Sequence, residues 1–204
     1  MSAAREAAAR GAVREGLLDV AERLMAERGV AEATVRAITA EAGANVAAVN
    51  YYFGSREALV EELLARRLEP LNEERLRMLA ARCPAGAAPS PRDVLHALAV
   101  PSLELCFAHP FFARLASRLR AESDPSVWVQ YRLHQASFLA TFEAAFAAAR
   151  TDLPPAEAIR RLHYVIGAIH HVWAHCPLPP AESPERLLRS FLTFYGTALE
   201  APAP

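Results

Sequence analysis

The fold is decided by residues 34–53, which read Thr34-Val-Arg-Ala-Ile-Thr-Ala-Glu-Ala-Gly43-Ala-Asn45-Val-Ala-Ala-Val-Asn50-Tyr51-Tyr52-Phe53. Gly43 fits the residue after a helix, because that position favours a positive φ and glycine has no Cβ to clash there. Asn45 fits the start of the next helix, where its side-chain oxygen can accept from a free backbone N–H. A helix, a short glycine turn and a second helix together predict a helix-turn-helix.

The second helix of this motif has small side chains on its outer face. Ala47 and Ala48 leave its backbone bare, and Asn50, Tyr51 and Tyr52 place polar groups at its far end. A helix this slim can enter the major groove of DNA, which is about 12 Å wide. Helix–glycine–helix corners also occur in enzymes and in helical bundles, so this pattern alone does not decide the function.

The composition favours an all-α protein. The chain has 204 residues, enough for one large or two small domains, with 53% hydrophobic residues and 8 glycines. No stretch is long and apolar enough to span a membrane, and the N-terminus lacks the apolar core of a secretory signal, so we expect a cytoplasmic protein. Three widely spaced cysteines argue against disulfides and against a cysteine-based zinc site. We expect no cofactor.

The charge counts mildly against a DNA-binding protein. The net charge is −1, every one of the 22 basic residues is arginine, and residues 1–60 hold seven arginines against eight acidic residues. The basic surface expected of a DNA-binding domain is therefore absent in bulk. Affinity would depend on where individual charges point, and on helix N-termini and hydroxyls directed at phosphates.

Apolar periodicity and helix-breaking residues predict about nine helices and no strand. Thr34 and Ser55 are predicted N-caps, Gly29 ends the first helix, and Pro70 can kink the fourth. The predicted helices cover residues 13–28, 34–42, 45–53, about 55–81, 91–107, 110–121, 125–150, 155–175 and 184–200. We predict a helix-turn-helix domain at residues 1–56 and a second, larger helical domain at residues 57–204, with the fourth helix connecting them.

Three blocks of sequence, taken in order, resemble the TetR family of bacterial transcriptional repressors. They are Leu18-Asp-Val-Ala21-Glu-Arg-Leu24-Met-Ala-Glu-Arg-Gly29, residues 34–43, and Val49-Asn50-Tyr51-Tyr52-Phe53-Gly-Ser55-Arg56-Glu57-Ala-Leu59. The resemblance implies a homodimer in which each third helix binds one half of a palindromic double-stranded DNA operator. It also implies that a small molecule binds the C-terminal domain and changes the spacing of the two DNA-binding heads.

The same resemblance assigns roles to single residues. Thr34, Arg36, Tyr51, Tyr52 and Arg56 match positions that contact phosphates. The positions that face the groove or the bases are Asn45, Val46, Ala47, Ala48 and Asn50. The family often has Tyr in place of Asn50 and Lys in place of Arg56. Asn50 can pair with adenine or pack at the corner of the motif.

The sequence of residues 45–56 is also similar to that of a branch of the family that includes fatty-acid-responsive regulators of the PsrA type. This similarity would imply an acyl effector. Aromatic residues cluster in the second domain, and a few polar groups accompany them, as in ligand pockets of helical bundles. The cluster predicts a small hydrophobic or acyl effector, although some of these residues must be plain core. The predicted ligand-binding residues are Phe107, Phe111, Leu115, Arg118, Trp128, Tyr131, His134, Phe138 and His163, with Gln135 and Tyr164 as further polar candidates.

The last two predicted helices carry apolar stripes that suit a two-fold interface between helices, or alternatively the core of a monomer. The predicted interface residues are Leu162, Ile166, Ile169, Phe191 and Tyr195. A histidine-rich face of the same region comprises His163, His170, His171, His175 and Cys176, and His171 and His175 have the four-residue spacing of two metal ligands. We favour hydrogen bonding at the interface and expect no metal.

A ligand-responsive repressor is the function that these features favour. A helical enzyme is the alternative, but the sequence has no nucleophile elbow, no glycine-rich phosphate loop and no metalloprotease motif. A bundle-type interaction protein that merely shares a helix-turn-helix corner is the third interpretation.

Overall fold

The computed structural model describes residues 2–83, 88–119, 125–175 and 183–203. Within these ranges the chain forms nine α-helices and no strand, which confirms the predicted all-α class. The helices are α1 (Ser2–Arg28), α2 (Val35–Glu41), α3 (Ala47–Phe53), α4 (Arg56–Ala81), α5 (Pro91–Ala108), α6 (Pro110–Leu119), α7 (Pro125–Ala149), α8 (Pro155–Ala174) and α9 (Pro184–Glu200).

Helix α1 is longer than the sequence predicted. Apolar periodicity begins at Val13, but the helix begins at Ser2. Its first turns are rich in alanine, with Arg and Glu between them, and these residues have high intrinsic helix propensity. Residues 5–13 are exposed. The added turns therefore form without a buried apolar face, which is the feature that apolar periodicity detects.

The glycine turn and the caps at Thr34 and Ser55 are those that the sequence predicted, whereas the N-cap of α3 is Val46 rather than Asn45. Thr34 caps α2, its Oγ1 accepting from the backbone N–H of Ala37 at 3.2 Å. After α2 the chain passes through Gly43, whose φ of +63° requires the left-handed region. Asn45 then accepts from the N–H of Ala47 through its Oδ1 at 2.9 Å. Ser55 caps α4 in the same manner, accepting from Ala58 at 3.0 Å.

One continuous hydrophobic core connects the helix-turn-helix with the rest of the chain. Ile38 of α2 and Val49 of α3 are fully buried beside the apolar faces of α1 and α4. Farther along, α4 packs on α5 and α7, while α6 packs on α1 and α8, and α5 packs on α9. Helix α4 therefore runs from the helix-turn-helix to the centre of the C-terminal bundle.

Among the described residues, no single helix has both the length and the apolar composition of a membrane span. Helices α5 and α6 reach that composition only as a pair, bent by 115° at the break between them.

Gly43 and Gly16 have different backbone conformations, so replacing each with alanine should change the free energy of unfolding in opposite directions. A Cβ at Gly43 or at Gly16 meets no atom within 4 Å, so neither change creates a clash. Gly43→Ala should lower the free energy of unfolding by about 1 kcal/mol, because an L-residue in the left-handed region is strained. Gly16→Ala, within α1, should raise it by roughly 0.5–1 kcal/mol. Urea denaturation followed by circular dichroism measures both, and equal effects of the two substitutions would contradict this account.

Candidate nucleic-acid interface and effector cavity

The predicted DNA-contacting residues are largely accessible at the surface of α2 and α3. Thr34, Arg36, Asn45, Val46, Ala47, Asn50 and Tyr51 are exposed, and Ala48, Tyr52 and Arg56 are partly buried. Val49 anchors α3 from below, since it is fully buried. The buried side of α3 is thus used for packing, and most of its remaining surface is free.

A shallow hollow lies between α1 and α3 and brings part of the predicted set together. Its lining includes Asn45, Ala47, Ala48, Tyr51 and Tyr52, together with residues 12, 13 and 16 of α1. Small side chains dominate this lining, which leaves the backbone of α3 approachable. The hollow makes this the concave part of the helix-turn-helix surface.

The aromatic residues at the end of α3 divide between surface and packing. Tyr51 is 70% exposed and meets Tyr52 edge-on, with ring centroids 4.9 Å apart. Phe53 is partly buried, and the guanidinium of Arg14 lies 5.4 Å from its ring centroid. Tyr51 is therefore the aromatic group that a ligand on this face could reach most directly.

Arg56 has structural partners that the sequence did not reveal. Its guanidinium donates to the carbonyl oxygens of Val30 and Ala33, the latter at 3.4 Å. These carbonyls belong to the segment between α1 and α2, so Arg56 ties the start of α4 to that segment. Its predicted contact with a phosphate stays a prediction.

Two arginines of the N-terminal region, Arg14 and Arg23, are engaged with acidic groups of the same chain. Arg14 pairs with Glu62, and Arg23 pairs with Glu27 and Glu41. Within the described residues Arg36 has no ion-pair partner and is exposed next to the N-cap of α2. Arg36 is therefore the cation best placed to meet an anion at this surface.

A buried carboxylate joins α1 to α4 beneath the helix-turn-helix. Glu22 accepts hydrogen bonds from Arg66 at 2.9 Å and from Arg67 at 3.0 Å, and Arg66 also donates to Asp19 at 2.8 Å. His109 lies 3.3 Å from Arg67 through its Nε2. Burial, followed by the charge of Arg67, lowers the pKa of His109, so this ring is neutral at pH 7 and can accept from the guanidinium.

A cavity of about 420 Å³ lies among α4, α5, α7 and α8. This volume is within the range of small-molecule sites. Of the predicted ligand-binding residues, Tyr131, Phe138 and His163 line it, as does the candidate Gln135. The cavity is therefore built mainly on α7, the helix that carries three of these four side chains.

The other predicted ligand-binding residues lie elsewhere. Phe107, Phe111, Leu115, Arg118 and His134 are not among the described residues that line the cavity, and the side chain of Trp128 lies outside the described part of the structure. Leu115 is buried in the core, and Arg118 donates to the carbonyl of Ala26 at 2.9 Å, a contact between α6 and α1. An aromatic cluster in sequence does not indicate which of its members face a cavity.

Arg75 and Glu143 line the cavity although the sequence analysis did not select them. Arg75 occupies a position on the buried stripe of α4, between Leu71 and Leu79 at four-residue spacing. A charged residue at such a position is unusual, and this is the signal that could have identified it. Glu143 binds Nε2 of His163 through Oε1 at 2.7 Å.

The predicted interface residues of α8 and α9 are mostly covered within the chain itself. Leu162, Ile169 and Phe191 are buried, while Ile166 and Tyr195 are partly buried and pack against the core. The large hydrophobic side chains that these two helices expose are Tyr164 and Phe194. The apolar stripes thus serve the core of the single chain first.

The histidines of α8 do not converge on a metal site within the described residues, where no group of three or more potential ligands is found. The rings of His171 and His175 lie 4.4 Å apart, and Nδ1 of His175 is 2.8 Å from the carbonyl oxygen of His171. Cys176 lies outside the described residues.

Comparison with known proteins agrees with this architecture. Residues 17–63 match the model of the tetR family of bacterial regulatory proteins, and no curated protein sequence matches the chain. A TetR-family transcriptional regulator from Bordetella parapertussis is similar in structure, with a TM-score of 0.73 and 17% identity over 90% of this chain and 93% of that one.

Two further solved structures are similar over nearly the whole chain. The fatty acid degradation regulator FadR from Bacillus halodurans has a TM-score of 0.71 and 15% identity, covering 93% of this chain and 95% of its own. NalD, the secondary repressor of the MexAB-OprM multidrug efflux pump in Pseudomonas aeruginosa, has a TM-score of 0.64 and 21% identity, covering 92% and 96%. The narrower PsrA-like branch is not confirmed by these comparisons. The matched family and these structures are transcriptional regulators rather than enzymes, and residues 17–63 of this chain form a helix-turn-helix domain that matches this family.

Proposed function

We propose that this protein is a transcriptional repressor that binds a palindromic operator as a homodimer and is released by a small hydrophobic effector. The observation that carries the proposal is the exposed, small-residue face of α3, fixed to one end of a helix whose other end lines a cavity. A repressor of this kind works in the cytoplasm, where the chromosome of a bacterium lies.

The two parts of the chain have different proposed roles, and the DNA contacts are assigned to accessible residues. Residues 1–56 bind DNA, and residues 57–204 bind the effector and the second subunit, with α4 connecting the two parts. Thr34, Arg36, Tyr51 and Tyr52 contact phosphates, and α3 enters the major groove with its alanine face. Few side chains on that face can contact bases, so the shape of the operator and the spacing of its half-sites supply much of the specificity.

The cavity supports release by an effector. The cavity is separate from the helix-turn-helix, yet α4 reaches both, because it packs on α3 and also contributes Arg75 to the cavity lining. A ligand that binds one arrangement of the bundle better than another shifts the population toward that arrangement. Because α4 is continuous, such a shift reaches the DNA-binding surface.

Operator binding is tested by replacing exposed side chains that carry no role in folding. Arg36→Ala and Tyr51→Ala should each weaken binding of the full-length protein to duplexes selected from a random pool, by roughly tenfold for a charge-assisted phosphate contact. Arg36→Ala should also reduce the slope of log affinity against log salt by about 1 per subunit. Fluorescence anisotropy over a salt series measures both quantities.

The matched control is Arg77→Ala, since Arg77 is an exposed arginine of α4 that pairs with Glu74. It should leave DNA affinity unchanged. Failure to select any duplex, or equal affinities for all three variants and the wild type, would contradict the proposed function.

Dimerisation through α8 and α9 is tested at the exposed apolar positions. Phe194 is 67% exposed in the single chain, and Phe194→Glu places a charge in the proposed interface. Light scattering after size-exclusion chromatography should show a dimeric wild type and a shift of Phe194→Glu toward the mass of one subunit, because a buried unpaired carboxylate is costly. Leu133→Glu on α7, where Leu133 is 64% exposed, is the control and should stay dimeric. A monomeric wild type would refute dimerisation.

A further inference from the structure

Arg75 is a buried cation at the edge of the cavity. It is only 4% exposed. Its Nε and one terminal nitrogen donate to Oγ of Ser102 at 3.1 and 2.8 Å, and the other terminal nitrogen donates to Oδ1 of Asn72 at 2.9 Å. The guanidinium carbon lies 4.6 Å from the ring centroid of Phe138. Three side chains, from α4, α5 and α7, are thus arranged around this one guanidinium.

None of these partners carries a negative charge. Both hydrogen-bonding partners are neutral oxygens, and among the described residues no carboxylate lies within 4.0 Å of Arg75. Arg150 is equally buried, but it pairs with Asp152 at 2.7 Å. Burial lowers the pKa of Arg75 to about 10, so it stays protonated at neutral pH. A buried charge without a counter-ion is costly, and proteins normally pair it.

The cavity that Arg75 lines is amphipathic. Leu98, Phe138 and Ile166 supply apolar wall, and Tyr131 and Gln135 supply polar groups. Oε1 of Gln135 is buried and has no hydrogen-bond partner among the described residues. A molecule in this space would therefore meet both an apolar surface and polar atoms next to the guanidinium.

The remaining charged groups of the lining do not neutralise Arg75. The carboxylate of Glu143 is bound to His163, and Arg132 is exposed and adds positive charge. The two further titratable lining residues contact each other, since Nε2 of His170 lies 3.5 Å from the hydroxyl of Tyr131. The buried part of the cavity is thus complementary to a single negative charge.

We propose that the effector is a monocarboxylate with a hydrocarbon body, whose carboxylate pairs with Arg75 and whose body lies against the apolar wall. This inference rests on the proposed function and specifies the chemical class of its effector. A guanidinium holds a carboxylate by parallel N–H···O bonds, and pairing would supply the counter-ion that the described residues do not provide.

The probes are the straight-chain monocarboxylates from butanoate to dodecanoate, each compared with the primary alcohol and the primary amine of equal length. Isothermal titration calorimetry on the full-length protein should show at least one carboxylate binding roughly 10- to 100-fold more tightly than its matched alcohol, as for hydrogen bonds to charged groups. Arg75→Met should remove this preference and leave alcohol binding unchanged. Arg75→Lys should retain part of it, because the charge remains and the fork is lost.

Arg77→Met is the matched control, because Arg77 lies on the same helix, is exposed and is already paired. It should bind the carboxylates like the wild type. A wild-type protein that binds the alcohols or amines as tightly as the carboxylates overturns the inference, and this result needs no variant to fold. A carboxylate preference that survives in a cooperatively folding Arg75→Met protein also overturns it.

DNA binding without any ligand separates this inference from the proposed function. A protein that selects no duplex but prefers carboxylates through Arg75 refutes the repressor and supports the site. A protein that selects a duplex and shows no carboxylate preference supports the repressor and refutes the site.

Discussion

The carboxylate of Glu22, held between the guanidinium groups of Arg66 and Arg67, is the interaction on which the rest of the structure depends. It fixes the point at which α4 crosses α1, and α4 carries both the end of the helix-turn-helix and Arg75. Removing Glu22 would leave both guanidinium groups with only the exposed carboxylates of Glu15 and Asp19 as partners. A polar contact thus helps to set the relation between the DNA-binding surface and the cavity, beside the apolar packing of the helices.

Local features of this chain were readable from the sequence because their causes are local. The caps at Thr34 and Ser55 and the turn at Gly43 each depend on one side chain and the next few backbone groups, and all three are confirmed. The first turns of α1 were missed, since alanine-rich exposed helix has no apolar period to detect. The helix starts that are marked by proline, such as Pro91 and Pro110, were also predictable, because proline suits the first turn of a helix.

Features that depend on contacts between distant parts of the chain could not be predicted from local sequence. An apolar stripe has the same appearance whether it faces its own core, a cavity or a second subunit, so Leu162 and Ile169 could not be placed before the bundle was assembled. Arg56 belongs to the same class of difficulty, because its carbonyl partners lie more than twenty residues earlier in the chain. Arg75 was visible only as a charge within a leucine stripe, and its neutral partners come from two different helices.

The internal pairing of Arg14 and Arg23 has a consequence for how the protein finds its target on a chromosome. Sequence-independent binding to DNA scales with the number of phosphates that free cations neutralise. Because Arg14 and Arg23 already pair with glutamates of the same chain, they are less available to phosphates, and sequence-independent binding should be weaker than seven N-terminal arginines alone would suggest.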